Sequence, residues 1–268
     1  ATAKNKSSMP ERLVMRKLLG VRILLIEFGG ELSDELLGVV ERHQGLSRLL
    51  VSWVDLTWIR PARLASLLDR LTGISLIGTQ LTAEQLLAIF SNCQKPAEPW
   101  RRENQGPIRI LSLAHNDLSI IESKLMASAV NKLCKIRMRN TQLPTQQIEA
   151  VFTSTSITTS LQCLDLGHND LSSVDPALLA RAVTKITEVG LRYTRLSSHQ
   201  VEAVLASLDR NTQLKKLSLR GNQAAPQAEP KLLIEAVTSL EEVDLAFTKP
   251  TRQQKFAILQ HLLANTGA

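Results

Sequence analysis

Apolar residues recur along the chain in one fixed spacing, L-x-x-L-x-L-x-x-N-x-L, seen without a gap at 161–171 (L-Q-C-L-D-L-G-H-N-D-L). The stretches 108–118 (I-R-I-L-S-L-A-H-N-D-L) and 214–224 (L-K-K-L-S-L-R-G-N-Q-A) repeat it. A second version carries Thr where the first has Asn, at 71–81, 133–143, 186–196 and, more weakly, 240–250. Degenerate copies open at Val21 and Leu46, which makes nine. Their starts lie 25, 25, 37, 25, 28, 25, 28 and 26 residues apart, so from 108 onward Asn-type units of 25 or 26 alternate with Thr-type units of 28. The period of the chain is a pair of units, the signature of a stacked repeat.

L-x-L alternation predicts a short strand with its leucines turned inward and the x residues outward. The Asn or Thr then turns the chain by bonding backbone groups that would otherwise be unpaired. An amphipathic helix returns along the other side. Thr-type units begin that helix with L-T-A-E-Q at Leu81, L-P-T-Q-Q at Leu143, L-S-S-H-Q at Leu196 and P-T-R-Q-Q at Pro250. Thr82, Ser197 and Thr251 each have Gln three residues on, the spacing of a capping box. Asn-type units use R-P-A-R-L at Arg60, D-P-A-L-L at Asp175 and E-P-K-L-L at Glu229. There Pro occupies the first helical turn, where its missing N–H is no loss. No unit buries its apolar side alone, so stacking must build one continuous core. The expectation is an α/β right-handed solenoid, a horseshoe with about nine parallel strands on the concave face and helices on the convex face. It is expected to run over 21–268, preceded by a flank, 1–20, in which 10–19 forms a short capping helix.

The pattern resembles the leucine-rich repeat superfamily and, within it, the ribonuclease-inhibitor-like class. That class alternates an Asn-bearing unit with one bearing Cys or Thr, as Asn116, Thr141, Asn169, Thr194, Asn222 and Thr248 do here. The resemblance covers roughly 21–268. It implies a binding surface rather than an active site, as in ribonuclease inhibitors, the sensing arrays of NOD-like innate immunity receptors and activators of the Ran GTPase. Ribonuclease inhibitors of this class are Cys-rich and acidic, whereas this chain has three Cys and a net charge of +7. That disfavours a ribonuclease partner. The Cys-rich caps usual in secreted relatives are missing as well.

Three scattered Cys imply no disulfide framework and favour a reducing, cytoplasmic setting. No apolar run approaches the ~18 residues of a membrane span. Aromatic residues make up only 3% of the chain, as suits a core of many small leucine layers. The positive charge favours an acidic protein partner. Nucleic acid is the lesser option, because it calls for a denser basic patch and more stacking aromatics. No Gly-rich phosphate loop, metal-ligand spacing or nucleophile motif is present, so no cofactor, metal or catalytic residue is expected. The H-N-D triplets at His115 and His168 resemble an acid–base pair, but the repeat itself accounts for Asn116 and Asn169.

In register, the position after the last strand leucine reads Glu27, Ser52, Ile77, Ala114, Arg139, Gly167, Arg192, Arg220 and Ala246. The next reads Phe28, Trp53, Gly78, His115, Asn140, His168, Tyr193, Gly221 and Phe247. With Arg137 at mid-strand, this predicts a basic, partly aromatic strip closed by an acidic patch of Glu241, Glu242 and Asp244. The candidate partner-binding residues are Arg137, Arg139, Arg192, Tyr193, Arg220, His115, His168 and Trp53. Ordinary solvation of a strand face would also place Arg and Lys there.

A nine-residue excess interrupts the period within 91–107 (S-N-C-Q-K-P-A-E-P-W-R-R-E-N-Q-G-P), which reads as a surface loop. Trp100, Arg101 and Arg102 give it the composition of a binding hot spot; a tolerated insertion whose Trp caps a neighbouring helix is the other reading. Finally, aligning Thr248 on Thr194 and Gln254 on Gln200 would open a further strand at 268, so the chain is expected to be a piece of a longer array. A regulator of a Ran-type GTPase and a structural adaptor are the alternatives to a sensing array.

Overall fold

The computed structural model describes residues 12–18, 21–27, 32–43, 45–95, 108–157, 160–208, 212–223 and 228–265. The chain divides into two compact units, 1–117 and 118–268. The first holds β1 (Arg12–Leu18), β2 (Val21–Glu27), α1 (Asp34–Arg42), β3 (Leu46–Ser52), α2 (Pro61–Leu68), β4 (Gly73–Ile77), α3 (Ala83–Cys93) and β5 (Ile110–Ser112). The second holds α4 (Ser123–Val130), β6 (Lys135–Arg137), α5 (Thr145–Ile157), β7 (Cys163–Asp165), α6 (Pro176–Val183), β8 (Glu188–Gly190), α7 (Ser198–Ala206), β9 (Lys216–Ser218), α8 (Pro230–Ser239), β10 (Glu242–Asp244) and α9 (Arg252–Asn265). Every one of the nine sequence repeats carries one strand. Within each unit those strands pair in parallel with their sequence neighbours, each return passing through the connecting segment of the repeat.

The expected capping helix over 10–19 is instead β1, antiparallel to β2 from Arg12↔Glu27 to Leu18↔Val21. A short apolar run reads equally as helix or strand. Here the bare edge of the first repeat strand decides, because a paired strand satisfies its free N–H and C=O groups and a helix would not.

The repeat leucines fill the interior. Ile136, Leu164, Val189 and Leu217 on β6 to β9 are buried, as are Met138, Leu166, Leu191 and Leu219 just beyond them. Strand residues between them alternate outward. Val201, Val204 and Leu205 of α7 close the same core from the helical side.

Two amide side chains explain why the units come in pairs. Asn169 reaches back to the preceding Thr-type unit: its Oδ1 accepts from the Thr141 and Leu143 N–H groups (3.1 and 3.3 Å), and its Nδ2 donates to the Met138 and Leu166 carbonyls (2.7 and 2.9 Å). Asn116 does the same for Thr79 and Leu76, and Asn222 for Thr194 and Leu191. In the other direction the capping Gln of each Thr-type unit serves the Asn-type unit before it. Gln85 Nε2 donates to the Leu56 and Ile59 carbonyls and Gln200 Nε2 to those of Leu171 and Val174, all at 2.7 Å. Gln147 bonds Ser119 (2.9 Å) and Ile121, and Gln254 bonds Ala228 (2.7 Å).

The capping boxes form as the spacing predicts at Thr82, Ser197 and Thr251. Pro61, Pro176 and Pro230 open their helices, and Asp175 adds a cap bond to the Leu178 N–H at 2.7 Å. At the insertion, the loop expected from 91 onward begins later. Ser91, Asn92 and Cys93 complete α3, with Cys93 packed in the core and Asn92 Nδ2 donating to Asp69 (2.8 Å). Residues 96–107, with Trp100, Arg101 and Arg102, lie outside the described residues.

Candidate partner-binding face

The open face of the second unit's sheet is a grid set by register. One row across the five strands reads Lys135, Cys163, Glu188, Lys216, Glu242, and the next reads Arg137, Asp165, Gly190, Ser218, Asp244. Backbone bonds beyond the strand ends align two further rows. Asn140 N–H donates to Gly167 O, His168 to Arg192 O, Tyr193 to Arg220 O and Gly221 to Ala246 O. This carries Arg139, Gly167, Arg192, Arg220 and Ala246 in one row, and Asn140, His168, Tyr193, Gly221 and Phe247 in the next. Arg137, Arg139, Arg192 and Arg220 thus share the face, with Arg137 one row away from the other three.

Charge is spread unevenly over this grid. On β9 and β10 it is compensated: Lys216 pairs with Glu242 (3.3 Å) and Lys215 with Glu241 (2.7 Å). Glu241 raises the Lys215 ammonium above its ordinary range and is itself lowered by it. Asp244 accepts from Ser218 Oγ (3.1 Å) and the Ala246 N–H (3.0 Å), and Arg220 sits 4.7 Å from the Phe247 ring centroid, a cation–π contact. The expected acidic patch is therefore largely taken up by its neighbours. On β6 to β8 and their turns, Lys135, Arg137, Arg139 and Arg192 share the strands with Asp165 and Glu188, and Asp165 is already turned onto the Gly167 N–H (3.0 Å). Among the described residues Arg137, Arg139 and Arg192 make no ion pair. The Nε–H groups of Arg139 and Arg192, like that of Arg48 in the first unit, are buried with no acceptor, an arrangement that costs about 1–3 kcal/mol per group.

Glycine shapes this corner. A Cβ on Gly167 would stand 2.6 Å from Arg192 Cγ, so the Arg192 stem lies across Gly167 toward the repeat that carries Arg139. Gly190 similarly makes room for Asp165. A cleft of about 190 Å³ opens between Arg137 and Arg192, floored by Cys163 and Gly190 and lined as well by Asp165, Glu188, Lys216, Glu242 and Asp244, so it presents both signs of charge. Its volume is below the ~300 Å³ where small-molecule sites begin, and suits one side chain of a partner.

The aromatic row has a backbone cause invisible to hydropathy. Trp53, Gly78, His115, Asn140, His168, Tyr193, Gly221 and Phe247 all hold φ between +53° and +73°. A β-branched residue is strongly disfavoured there, and none occurs. Tyr193 stacks on His168 (centroids 4.9 Å apart) and extends over Gly221, whose missing Cβ is the room its ring occupies. In the first unit Trp53 lies over Gly78 and meets His115 at 5.1 Å, the two forming a separate aromatic pair. Trp53, Tyr193 and Phe247 keep 47%, 40% and 63% of their surface exposed.

Asn116 and Asn169 of the H-N-D triplets hold backbone of the preceding repeat, and the acid of the second triplet is engaged locally. Asp170 accepts from the Ser172 hydroxyl (2.6 Å) and N–H (3.0 Å) and pairs with Arg195 (3.0 Å), which together hold its carboxyl below the ordinary range. Asp55 repeats this turn with Thr57. Among the described residues no group of three or more His, Cys, Asp or Glu is placed to hold a metal, and no helix is long and apolar enough to cross a membrane. The Lys215–Glu241 and Lys216–Glu242 pairs were missed from sequence. Their spacing of 26 residues, one repeat length, is the signal that places opposite charges side by side on adjacent strands.

Residues 160–182 match the Leucine Rich Repeat family. The chain is similar in structure to an internalin from Listeria monocytogenes, with 16% sequence identity and a TM-score of 0.46 over 77% of this chain and 56% of that one. The similarity thus spans little more than half the length of that structure. The search of curated proteins gives no match. The matched segment holds β7 and the buried Asn169 turn and runs into α6, and the same order of parallel strand, buried Asn or Thr turn and returning helix recurs in the other repeats of the second unit.

Proposed function

We propose that the chain is a non-enzymatic protein-interaction module whose open sheet face in the second unit binds an acidic segment of a protein partner. The observation that carries this is the contrast across one face: lysines and carboxylates on β9 and β10 neutralise each other, while Arg137, Arg139 and Arg192 have no ion pair among the described residues. Arg forks pair with carboxylates in a bidentate way and lose less by desolvation than Lys. The alternation of Asn-bearing and Thr-bearing units supports placing the array in the ribonuclease-inhibitor-like class, and within it beside the cytoplasmic sensing arrays of NOD-like receptors.

Quantitative affinity capture with the parent chain and with R139E/R192E tests the reading. Partners specific to this face should be lost from the double variant. For one such partner, the parent's affinity should fall steeply with salt and the variant's weaker binding should fall less. Unchanged affinity and salt slope would move the binding surface away from this face, toward the 91–107 insertion.

A further inference from the structure

We propose that a cavity at the turn after β8 seats an aromatic side chain, Trp or Tyr, of the protein partner, a reading that rests on the interaction role proposed above. The cavity has a volume of about 380 Å³ and is walled by Tyr193, Arg195, Leu196, Gly221 and Gln223. That falls within the range of ligand pockets, which begins at ~300 Å³. Local sequence explains why it forms here. Thr194 is fully buried, and Asn222 Oδ1 accepts from the N–H groups of Thr194 (3.2 Å) and Leu196 (3.1 Å). Tyr193 and Arg195 flank this pinned residue on left-handed backbone, at φ +55° and +59°, and both are exposed. In the next repeat Gly221 lacks a Cβ, which would stand 2.2 Å from Tyr193 Cδ1, so the ring reaches across to it. The Thr-type turn before has Asn140 in place of Tyr193, and His168 follows it in place of a glycine. Neither wall exists there.

The walls suit a ring rather than an ion. Arg195 is already neutralised by Asp170 (3.0 Å), so the cavity has no call for an anion. A paired guanidinium still offers its flat face to a π-system, and Tyr193 offers an aromatic surface for offset or edge-on contact. His168 stacks on the Tyr193 ring without being a wall of the cavity, so it supports the ring and leaves the site open. Buried Leu196 gives the cavity an apolar wall, and exposed Gln223 gives an amide for the polar tip of Trp or Tyr. Because Asn222 fixes the turn in advance, little ordering is left for the partner to impose. A sugar fits less well, since its hydroxyls call for several fixed acceptors and no wall residue is a carboxylate.

The test titrates N-acetyltryptophanamide into the whole chain with its tyrosine ring labelled. One set of ring resonances then reports on the cavity, since no other tyrosine is present. These resonances should shift to saturation, with half-saturation on the order of 1 mM, and N-acetylleucinamide should bind at least roughly fivefold more weakly. In ligand-observed NMR, Y193L should abolish binding of the tryptophan amide, and R195Q should weaken it about two- to fivefold. Both variants should melt close to the parent, because both side chains are exposed. In affinity capture, Y193L should lose partners that R139E/R192E also loses. Equal binding of the two amides, tighter binding of cellohexaose, shifts that never saturate, or unchanged binding in Y193L would each overturn the aromatic assignment. If it falls while capture still depends on Arg139 and Arg192, the acidic-partner reading stands. If capture is also indifferent to R139E/R192E, both fall.

Discussion

Asn169 is 4% exposed and holds four backbone groups of two repeats with one amide. Replacing it with Ala strands buried donors and acceptors in both, so N169A should cost about 3–5 kcal/mol in urea denaturation, well above the ~1 kcal/mol of an ordinary hydrogen bond. The αL row makes a different demand. Gly221→Ala puts a Cβ where the Tyr193 ring lies and leaves a residue with a side chain at φ +73°. The expected loss is about 1–3 kcal/mol. Because Tyr193 is the chain's single tyrosine, a selectively labelled sample should show its ring resonances move in G221A. Asp170 predicts a pH dependence. Its carboxyl is held low chiefly by Ser172, so its contribution is present above the unfolded carboxylate pKa and is lost as pH falls through the lowered one. D170N should therefore be less stable than the parent at neutral pH, and the difference should close well below about pH 3.9.

Helix starts were the most legible elements, because each capping signal is local in sequence. What the spacing did not reveal is that the capping Gln also looks backward. Gln85 Oε1 accepts from the Thr82 N–H at 2.9 Å, while its Nε2 donates to two carbonyls of the preceding repeat. The two roles separate in urea denaturation: T82A should cost about 1 kcal/mol, and Q85A about 2–4 kcal/mol because buried Leu56 and Ile59 carbonyls lose their donor. Equal losses would mean that the backward bonds carry little. Strand positions were legible for the same reason as caps, since the L-x-L period is short. β1 was not. Its residues R-L-V-M-R-K-L satisfy either period, and the choice belongs to β2, whose edge needs a partner. The candidate face was half legible. Register placed the arginines in rows, but which of them stay unpaired depends on contacts between residues a repeat apart, and the left-handed backbone under Trp53, Tyr193 and Phe247 depends on the turn rather than on hydropathy.

In a solenoid each repeat touches only its neighbours, so stability is close to a sum of local terms and damage should stay near its source. Two cysteines report on this directly. Cys93 ends α3 in the first unit and Cys163 opens β7 in the second; burial pushes the Cys93 thiol up to about 12 and raises that of Cys163 as well, against the pull of Arg137 and Lys135. Both should resist iodoacetamide at about pH 8 in the native chain, while the half-buried Cys134 labels first. N169A removes the amide that ties the repeat of Cys163 to the one before it. Labelling followed by peptide mass spectrometry should then show Cys163 reacting substantially faster than in the parent at low urea, with Cys93 close to its parent rate. If both accelerate by the same factor, the chain opens as one cooperative body and the nearest-neighbour description fails.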